Sequence, residues 1–321
     1  MKKAICTTTI NAPTLAIQKF IGIAQHDGWD IYIAGDKKTP HRDYFELENS
    51  YSCVHYLTPQ MQEESAKLLS IIIGWNCIQR RNFSMLAAYR DGTEIMALVD
   101  DDNIPITSIW GHNVKVGKST ECHVHDCGDR PVFEPLGWGE GVWHRGYPVQ
   151  LLPGLRTGQR TTVKVRTPLV QADLWDGAPD IDAVSRIAGG DGKAQRFART
   201  VPYAGSKPGP FNSQNTFIHR SILPTYFLYP GVGRMDDIWA SYVMQRVFPD
   251  SVIYGPPTVR QDRNVHDLVS DLEAEMLGYK YTMSLVSWLE DHDPIADPWP
   301  EWMPARALAA WAEWRRVINN S

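Results

Sequence analysis

Glu94-Ile95-Met96-Ala97-Leu98-Val99-Asp100-Asp101-Asp102 is the stretch of sequence that decides the fold. Its first part is almost wholly apolar, which predicts a strand buried on both faces, as in a parallel sheet covered by helices. The strand stops abruptly at three adjacent aspartates. Because ligands of open α/β sheets gather at the carboxyl ends of the strands, the same stretch also predicts a ligand site.

The residues before this strand alternate strand-like and helix-like segments. Thr14 is a typical N-cap, and Gly28 ends the amphipathic segment that follows it. We predict strands at 3–8, 30–34 and 53–57, and helices at 14–28, 59–73 and 82–90. This alternation implies crossover connections and a largely parallel sheet.

The second half of the chain is less regular. Residues 104–210 are rich in Gly, Pro and Trp and predict irregular structure with some antiparallel strands. Beyond them we predict a strand at 251–254 and helices at 236–247, 268–289 and 304–318. Leu308, Trp311, Trp314 and Val317 share one face of the last helix.

Composition limits the location and the partners of the protein. The formal charge of −5, from 32 basic and 37 acidic residues, supplies no general attraction to nucleic acid. Five cysteines are an odd number and indicate a reducing compartment rather than a disulfide framework. The N-terminus does not resemble a signal peptide, and no apolar run is long enough to cross a bilayer. We therefore expect a soluble cytoplasmic protein.

The three aspartates suit a divalent cation. Three adjacent carboxylates repel one another, so without a cation the arrangement is costly. Mg²⁺ and Mn²⁺ prefer oxygen ligands and keep coordination sites for substrate phosphates. In extended backbone Asp100 and Asp102 point the same way and suit one metal, whereas Asp101 points elsewhere, toward a sugar or ribose hydroxyl. The alternative is a solvated acidic turn.

Four further residues are candidates for the chemistry. Arg145 lies in a turn before Gly146 and suits a phosphate clamp, unless it only pairs with a surface carboxylate. Asp236 and Asp237 start a predicted helix; they cap it, or one is the general base, and we favour Asp237 with Asp236 as its support. His266 is a late metal ligand or an ordinary loop histidine.

Several motifs in order resemble one known family. Similar elements are spread over roughly residues 1–275, and the ordered set is far more specific than any single motif. They resemble the reversibly glycosylated polypeptides (the plant UDP-arabinopyranose mutases) and their STELLO-like relatives. The matching elements are Gly28-Trp29, Gly35-Asp36-Lys37-Lys38-Thr39-Pro40, Arg81-Asn82, Val99-Asp100-Asp101-Asp102-Asn103, Arg145-Gly146-Tyr147-Pro148, Asn215, Arg220 and Met235-Asp236-Asp237-Ile238-Trp239-Ala240.

The resemblance implies a GT-A-like fold, Rossmann-like in its nucleotide-binding half, that binds a UDP-sugar with Mn²⁺ or Mg²⁺. It implies a catalytic domain at 1–275 and a C-terminal helical extension at 276–321. It implies that Asp36 meets the uracil or ribose and that Asp100 and Asp102 hold the metal. Through their motifs, Asp101 and four further residues become substrate-binding candidates: Lys37, Arg81, Asn215 and Trp239.

One departure from the family bears on the reaction. Arg145 matches the mutase arginine that is associated with reversible self-glycosylation. The mutases have a second arginine seven positions later, where this chain has Leu152. The change leaves a sugar-nucleotide fold intact and counts against the mutase reaction.

Three functions are therefore compared. The first is a metal-dependent glycosyltransferase that moves sugar from a UDP-sugar to an unidentified hydroxyl on a glycan, a lipid-linked sugar, a protein or a modified nucleobase. The second is a UDP-sugar mutase, which needs no acceptor. The third is a non-catalytic subunit that only binds the nucleotide-sugar. The Trp-bearing C-terminal helix is also a candidate surface for homo-oligomer formation.

Overall fold

The computed structural model describes residues 1–136, 142–153, 160–189, 201–261 and 267–321. These residues form one β-sheet flanked by helices. The strands are β1 Lys3–Thr9, β2 Asp30–Gly35, β3 Val54–Leu57, β4 Ile95–Val99, β5 Asn103–Pro105, β6 Thr120–His125, β7 Thr161–Arg166, β8 Val170–Gly177, β9 Tyr203–Gly205, β10 Asn215–His219 and β11 Val252–Gln261. The helices are α1 Leu15–Asp27, α2 His41–Ser50, α3 Pro59–Ser65, α4 Lys67–Ile73, α5 Arg81–Arg90, α6 Ala183–Ile187, α7 Asp236–Val247, α8 Leu268–Asp291 and α9 Ala305–Asn319.

The sheet is mixed, and most of its strands run in one direction. The strand order is β3-β2-β1-β4-β10-β8-β11-β9-β6-β7, and β5 pairs with β11. Strands β3, β2, β1, β4, β8, β11 and β7 run one way, and β10, β9, β6 and β5 run the other. This mostly parallel sheet with flanking helices confirms the predicted fold class.

The first helix follows the predicted capping pattern. The Thr14 hydroxyl accepts a hydrogen bond from the Ile17 amide at 3.2 Å, which satisfies one of the free N–H groups of the first turn. Gly28 ends the helix with φ 66°, in the left-handed region. Strand β4 is buried along its whole length, as its apolar sequence predicts.

Three elements differ from the sequence-based expectation. The predicted helix at 59–73 is broken into α3 and α4 at Ala66, whose φ of −158° is not helical. Helix α2 was not predicted, because Tyr44 is its only buried residue and no apolar stripe marks it. Strand β11 runs on past the predicted 251–254 through two prolines, with a register shift between Gly255 and Val259. Proline lacks a donor for the ladder, so the irregularity falls there.

The C-terminal helices pack into the same core as the sheet. Trp314 of α9 is fully buried, and its indole N–H donates to the Leu223 carbonyl at 2.7 Å. Arg306 donates to the carbonyls of Ile72 and Ile73, at the end of α4. The expected boundary at 275/276 falls inside α8, and the division into two parts stays a prediction. Within the described ranges, no helix is both long and apolar enough to span a bilayer.

We predict that Trp314→Ala lowers the free energy of unfolding by about 3–5 kcal/mol, because it leaves a cavity in the core and an unpaired Leu223 carbonyl. Denaturant unfolding measures the change. Ala309→Ser, on the exposed side of the same helix, is the control and changes stability by about 0.5 kcal/mol or less. A similarly small loss of unfolding free energy in Trp314→Ala would mean that α9 contributes little to the packing of the core.

Candidate functional site

A cavity of about 230 Å³ opens where β4 ends and α7 begins. Five of the residues predicted from sequence line it together: Asp100, Asp102, Arg145, Asp236 and Asp237. Its other lining residues are Ile78, Ser213, Gln214, Gly233, Arg234 and Gln261. The aspartates after β4 and those at the start of α7 are distant in sequence, so the fold alone brings them to one site.

Two features of the backbone create this meeting point. Strand β10 pairs antiparallel with β4, with Asn215 opposite Val99, which places Ser213 and Gln214 beside the aspartates. Ahead of α7, Gly233 has φ 64°, and a Cβ there would lie 2.0 Å from the Ala274 carbonyl oxygen. Only glycine therefore allows α8 to approach the turn that starts α7.

Arg81 holds the first aspartate of the triplet. Its side chain is fully buried, and its guanidinium donates to the Ser213 carbonyl at 2.7 Å and to the Ser213 hydroxyl at 2.6 Å. The same guanidinium forms an ion pair with Asp100. Burial raises the pKa of Asp100 above its ordinary value, and the charge of Arg81 opposes that rise. Arg81 thus fixes Asp100 from behind the cavity wall.

The guanidinium of Arg145 contacts two carboxylates and one carbonyl. Its Nε donates to both oxygens of Asp180 at 3.0 Å, and a terminal nitrogen lies 3.3 Å from Asp237. It also donates to the Arg234 carbonyl. Burial opposes the charge, but Asp180 and Asp237 outweigh it and raise the pKa of Arg145 well above its ordinary value. Arg145 is therefore paired, as the alternative hypothesis held, but with buried carboxylates at the cavity wall.

The turn around Arg145 depends on its glycine. Gly146 has φ 84°, and a Cβ there would lie 2.1 Å from Cγ2 of Ile238 in α7. Asp180, the main partner of Arg145, was missed by sequence reasoning. It lies in a short Ala178-Pro179-Asp180 segment without a motif. Burial acts to raise the pKa of Asp180, yet the neighbouring Arg145 holds it well below its usual range.

The two aspartates that start α7 have different surroundings. Asp237 accepts from the Ser213 amide at 2.8 Å and from the Ser213 hydroxyl at 3.0 Å, besides its pair with Arg145. Asp236 accepts from the Gln79 side-chain amide at 2.8 Å. Burial first, and then the charge of Asp237, raise the pKa of Asp236 to about 7. Asp237 is thus anchored by three donors, and its neighbour Asp236 holds a proton more readily than an ordinary aspartate.

Asp36 and Lys37 lie at the end of β2, outside the lining of this cavity. The carboxylate of Asp36 accepts from the amides of Lys37 and Asn76, each at 2.6 Å. The Lys37 ammonium lies 5.0 Å from the centre of the Trp75 ring. Together these contacts order a polar turn with one aromatic ring beside it.

Three other predicted substrate contacts have structural partners. Asp101 accepts from the Thr9 hydroxyl and from Asn11 at 3.0 Å, which joins the ends of β1 and β4. The amide of Asn215 donates to the Leu174 carbonyl at 2.9 Å. Trp239 is fully buried and donates to Thr282 at 3.0 Å. Neither Asn215 nor Trp239 lines the cavity, and His266 lies outside the described residues.

The donor set of the cavity fits a hard divalent cation. Asp100, Asp102, Asp236 and Asp237 all line it, and burial raises the pKa of two of them. Crowded, desolvated carboxylates are stabilised by a cation among them, and oxygen ligands are those that Mg²⁺ and Mn²⁺ prefer. Among the described residues, no group of three His, Cys, Asp or Glu side chains converges as a metal site. A cation here would need further oxygens, such as substrate phosphates.

No protein-family model and no curated protein matches the chain. Among solved structures, glucosyl-3-phosphoglycerate synthase from Mycobacterium tuberculosis, in complex with Mn²⁺, uridine diphosphate and glucosyl-3-phosphoglycerate, is similar with 12% identity and a TM-score of 0.45 over 90% of this chain and 79% of that one. A mannosyltransferase from Pyrobaculum calidifontis, in complex with GDP-Man and Mn²⁺, has 11% identity and a TM-score of 0.38 over 97% and 73%.

Mannosyl-3-phosphoglycerate synthase from Rubrobacter xylanophilus has 10% identity and a TM-score of 0.39 over 94% of this chain and 78% of that one. None of the three is a reversibly glycosylated polypeptide, so the resemblance to that family stays a prediction. All three TM-scores lie below 0.5, so the inferences that follow depend on the geometry of the cavity.

Asp180→Asn should lower the free energy of unfolding at pH 7 by about 3 kcal/mol, because it leaves the buried Arg145 charge without its main partner. The pKa of Asp180 is depressed in the folded chain, so its contribution is complete above its unfolded pKa of about 3.9 and is lost as the pH falls through the folded pKa. Denaturant unfolding of the wild type and of Asp180→Asn, at pH 7 and at about pH 2, measures the stability difference, which should be smaller at the lower pH. The exposed Asp129→Asn is the control. An equal loss at both variants would show that the pair contributes nothing.

Proposed function

We propose that this protein is a divalent-metal-dependent glycosyltransferase that takes a UDP-sugar donor and transfers the sugar to a hydroxyl acceptor. One observation carries the proposal: the aspartates at the end of β4 and those at the start of α7 line a single cavity, with two arginines in its wall. That arrangement supplies separate groups for a cation, for phosphate charge and for a proton.

Asp100 and Asp102 would hold Mn²⁺ or Mg²⁺ at the end of β4. Bound there, the cation would neutralise the negative charge that develops on the leaving diphosphate. Arg81 keeps Asp100 in place through its ion pair and its bonds to Ser213. We place the nucleoside toward Asp36 and Lys37, as the sequence resemblance implies, where Trp75 offers a ring surface.

The arginines of the cavity act by charge. The Arg145 guanidinium donates to Asp180, Asp237 and the Arg234 carbonyl, and its pKa is raised, so it is a poor nucleophile for carrying a sugar. Arg234 lines the same cavity and pairs with Asp271 at 3.1 Å and Glu275 at 2.8 Å. Arg145 and Arg234 both contribute positive potential next to the aspartates.

No contact described above favours the mutase or the non-catalytic subunit.

Asp236 is the better placed general base. Burial and the charge of Asp237 raise the pKa of Asp236 to about 7, so its carboxylate accepts a proton more readily than an ordinary aspartate does. Asp237, which the sequence favoured, already accepts hydrogen bonds on both oxygens, from Ser213 on one and from Arg145 on the other. We therefore assign proton removal from the acceptor hydroxyl to Asp236, with Asp237 and Gln79 as its positioning residues.

Because the aspartates repel a free diphosphate, we expect the protein to bind UDP tightly only when Mn²⁺ or Mg²⁺ is present. We also expect it to release UDP slowly when it is incubated with a UDP-sugar. Calorimetry with UDP, with and without EDTA, measures the metal dependence of UDP binding, and chromatography of incubated UDP-sugars measures UDP release. Asp102→Ala should abolish the metal dependence of UDP binding, and the exposed Asp129→Asn should not.

The products separate the three functions. Free UDP supports the transferase, an isomerised UDP-sugar would support the mutase, and binding without any product would support the non-catalytic subunit. UDP affinity that neither EDTA nor Asp102→Ala lowers from that of the wild-type protein with metal would refute the metal site.

Asp236→Asn should lower the turnover rate by about 10²–10⁴-fold while UDP affinity stays within a factor of two or so, because it removes a proton acceptor and little volume. In the wild-type enzyme the rate should fall as the pH drops below about 7, since only the ionised carboxylate accepts the proton. The pH dependence of the single-turnover rate tests this. Gln79→Leu should move the midpoint of that profile upward, because it removes a donor to the charged form. Full activity in Asp236→Asn with a dead Asp237→Asn would return the base to Asp237.

A further inference from the structure

A second cavity, of about 290 Å³, lies against strands β8, β10 and β11 and shares no lining residue with the first. Its walls are largely apolar, but one buried carboxylate, Asp173, belongs to them. The lining residues are Ile109, Gly111, Asn113, Val114, Lys115, Gln171, Asp173, Pro202, Phe217, Ile253, Gly255, Pro256 and Thr258.

Asp173 is buried without a charged partner. Only 4% of its surface is exposed. One oxygen accepts from the Gln171 amide at 2.8 Å, and the other accepts from the Thr258 hydroxyl at 3.0 Å. Both donors are neutral, and in the described part of the chain no cation contributes to its electrostatics. Burial accordingly raises the pKa of Asp173 to about 7.

The carboxylate is built into the wall rather than loosely placed there. The Gln171 side chain is held by the Lys115 amide at 2.7 Å, and the Thr258 hydroxyl is held by Asn215 at 2.8 Å. Gly255 leaves room for it, because a Cβ at that position would lie 1.9 Å from an Asp173 oxygen. A carboxylate has about four acceptor sites, and these contacts use two of them.

We propose that this cavity binds a small organic ammonium ligand with an apolar chain, and that Asp173 is its counter-ion. An ammonium group offers three donors and the missing positive charge, which compensates the burial of the carboxylate. The apolar walls, with Val114, Phe217 and Ile253 among them, suit the chain. The volume of about 290 Å³ leaves room for a short alkyl chain beside the carboxylate.

The chemistry favours an organic cation over a metal ion. A divalent metal needs several oxygen or nitrogen ligands, preferably with more than one carboxylate among them. The cavity has one carboxylate, and its polar neighbours Gln171 and Thr258 donate hydrogen bonds to that carboxylate. Lys115 lines the same cavity, and its positive charge would weaken the binding of an ammonium ligand.

The second cavity is independent of the proposed transferase site, and no nucleotide takes part in its test.

The test uses the full chain and three probes of equal length, titrated by calorimetry at pH 8: pentylammonium, pentanol and pentanoate. This pH lies above the raised pKa of Asp173, about 7, and so favours the charged carboxylate. Pentylammonium should bind roughly tenfold more tightly than pentanol, because a charge-assisted bond replaces a neutral one. Pentanoate should not bind. Equal binding of pentylammonium and pentanol, or no binding of pentylammonium, would overturn the proposal.

Two variants with opposite expected effects complete the test. Asp173→Asn keeps the volume and should reduce pentylammonium affinity to that of pentanol, whereas pentanol affinity should stay the same. Lys115→Met removes the competing charge and should strengthen pentylammonium binding a few-fold. If Asp173→Asn does not fold, the probe series and Lys115→Met still decide. Unchanged pentylammonium affinity in a folded Asp173→Asn protein would contradict the assignment.

Discussion

The balance between buried carboxylates and buried arginines is the constraint on which this site depends. Asp180, Asp236 and Asp237 have almost no exposed surface, and two of the arginines that face the aspartates, Arg81 and Arg145, are equally buried. Charges of one sign in so small a volume would drive the carboxyl groups to take up protons. Each arginine opposes protonation of the carboxylates it pairs with, but the other carboxylates of the cavity lack a full counter-charge. That remaining negative potential makes the cavity suitable for a divalent cation, through which we propose that a diphosphate binds.

Contacts between segments that are distant in sequence provide this balance of charge. Arg81 reaches Ser213 across 132 residues, and Arg145 reaches Asp237 across 92. Gly146 permits the close approach that such contacts require, because it leaves space for Ile238 of α7. Asp100, Arg81, Asp236 and Asp237 lie at the ends of a strand and of two helices, whereas Arg145 and Asp180 lie in irregular segments joined by their ion pair. These contacts favour a fixed arrangement before substrate arrives.

The sheet also connects the two cavities. Asn215, opposite Val99 in the β4–β10 ladder, donates to Thr258, which in turn donates to Asp173. The Trp110 indole donates to the same Asn215. This chain of hydrogen bonds links strand β10, the neighbour of β4, to the buried carboxylate of the second cavity. Asn215, expected at the substrate, thus has a framework role between two sites.

The sequence by itself determined the elements whose signals are local. The apolar run of β4, the Thr14 cap, the bounds of α7 and the position of the aspartates at a strand end all follow from neighbouring residues. Only the tertiary structure decided which charged groups meet. Asp180 has no local motif, and Asp236 differs from Asp237 only through Gln79, Ser213 and Arg145. Periodicity and capping are properties of a few adjacent residues, whereas burial and ion pairing depend on contacts between distant segments that no short stretch of sequence encodes.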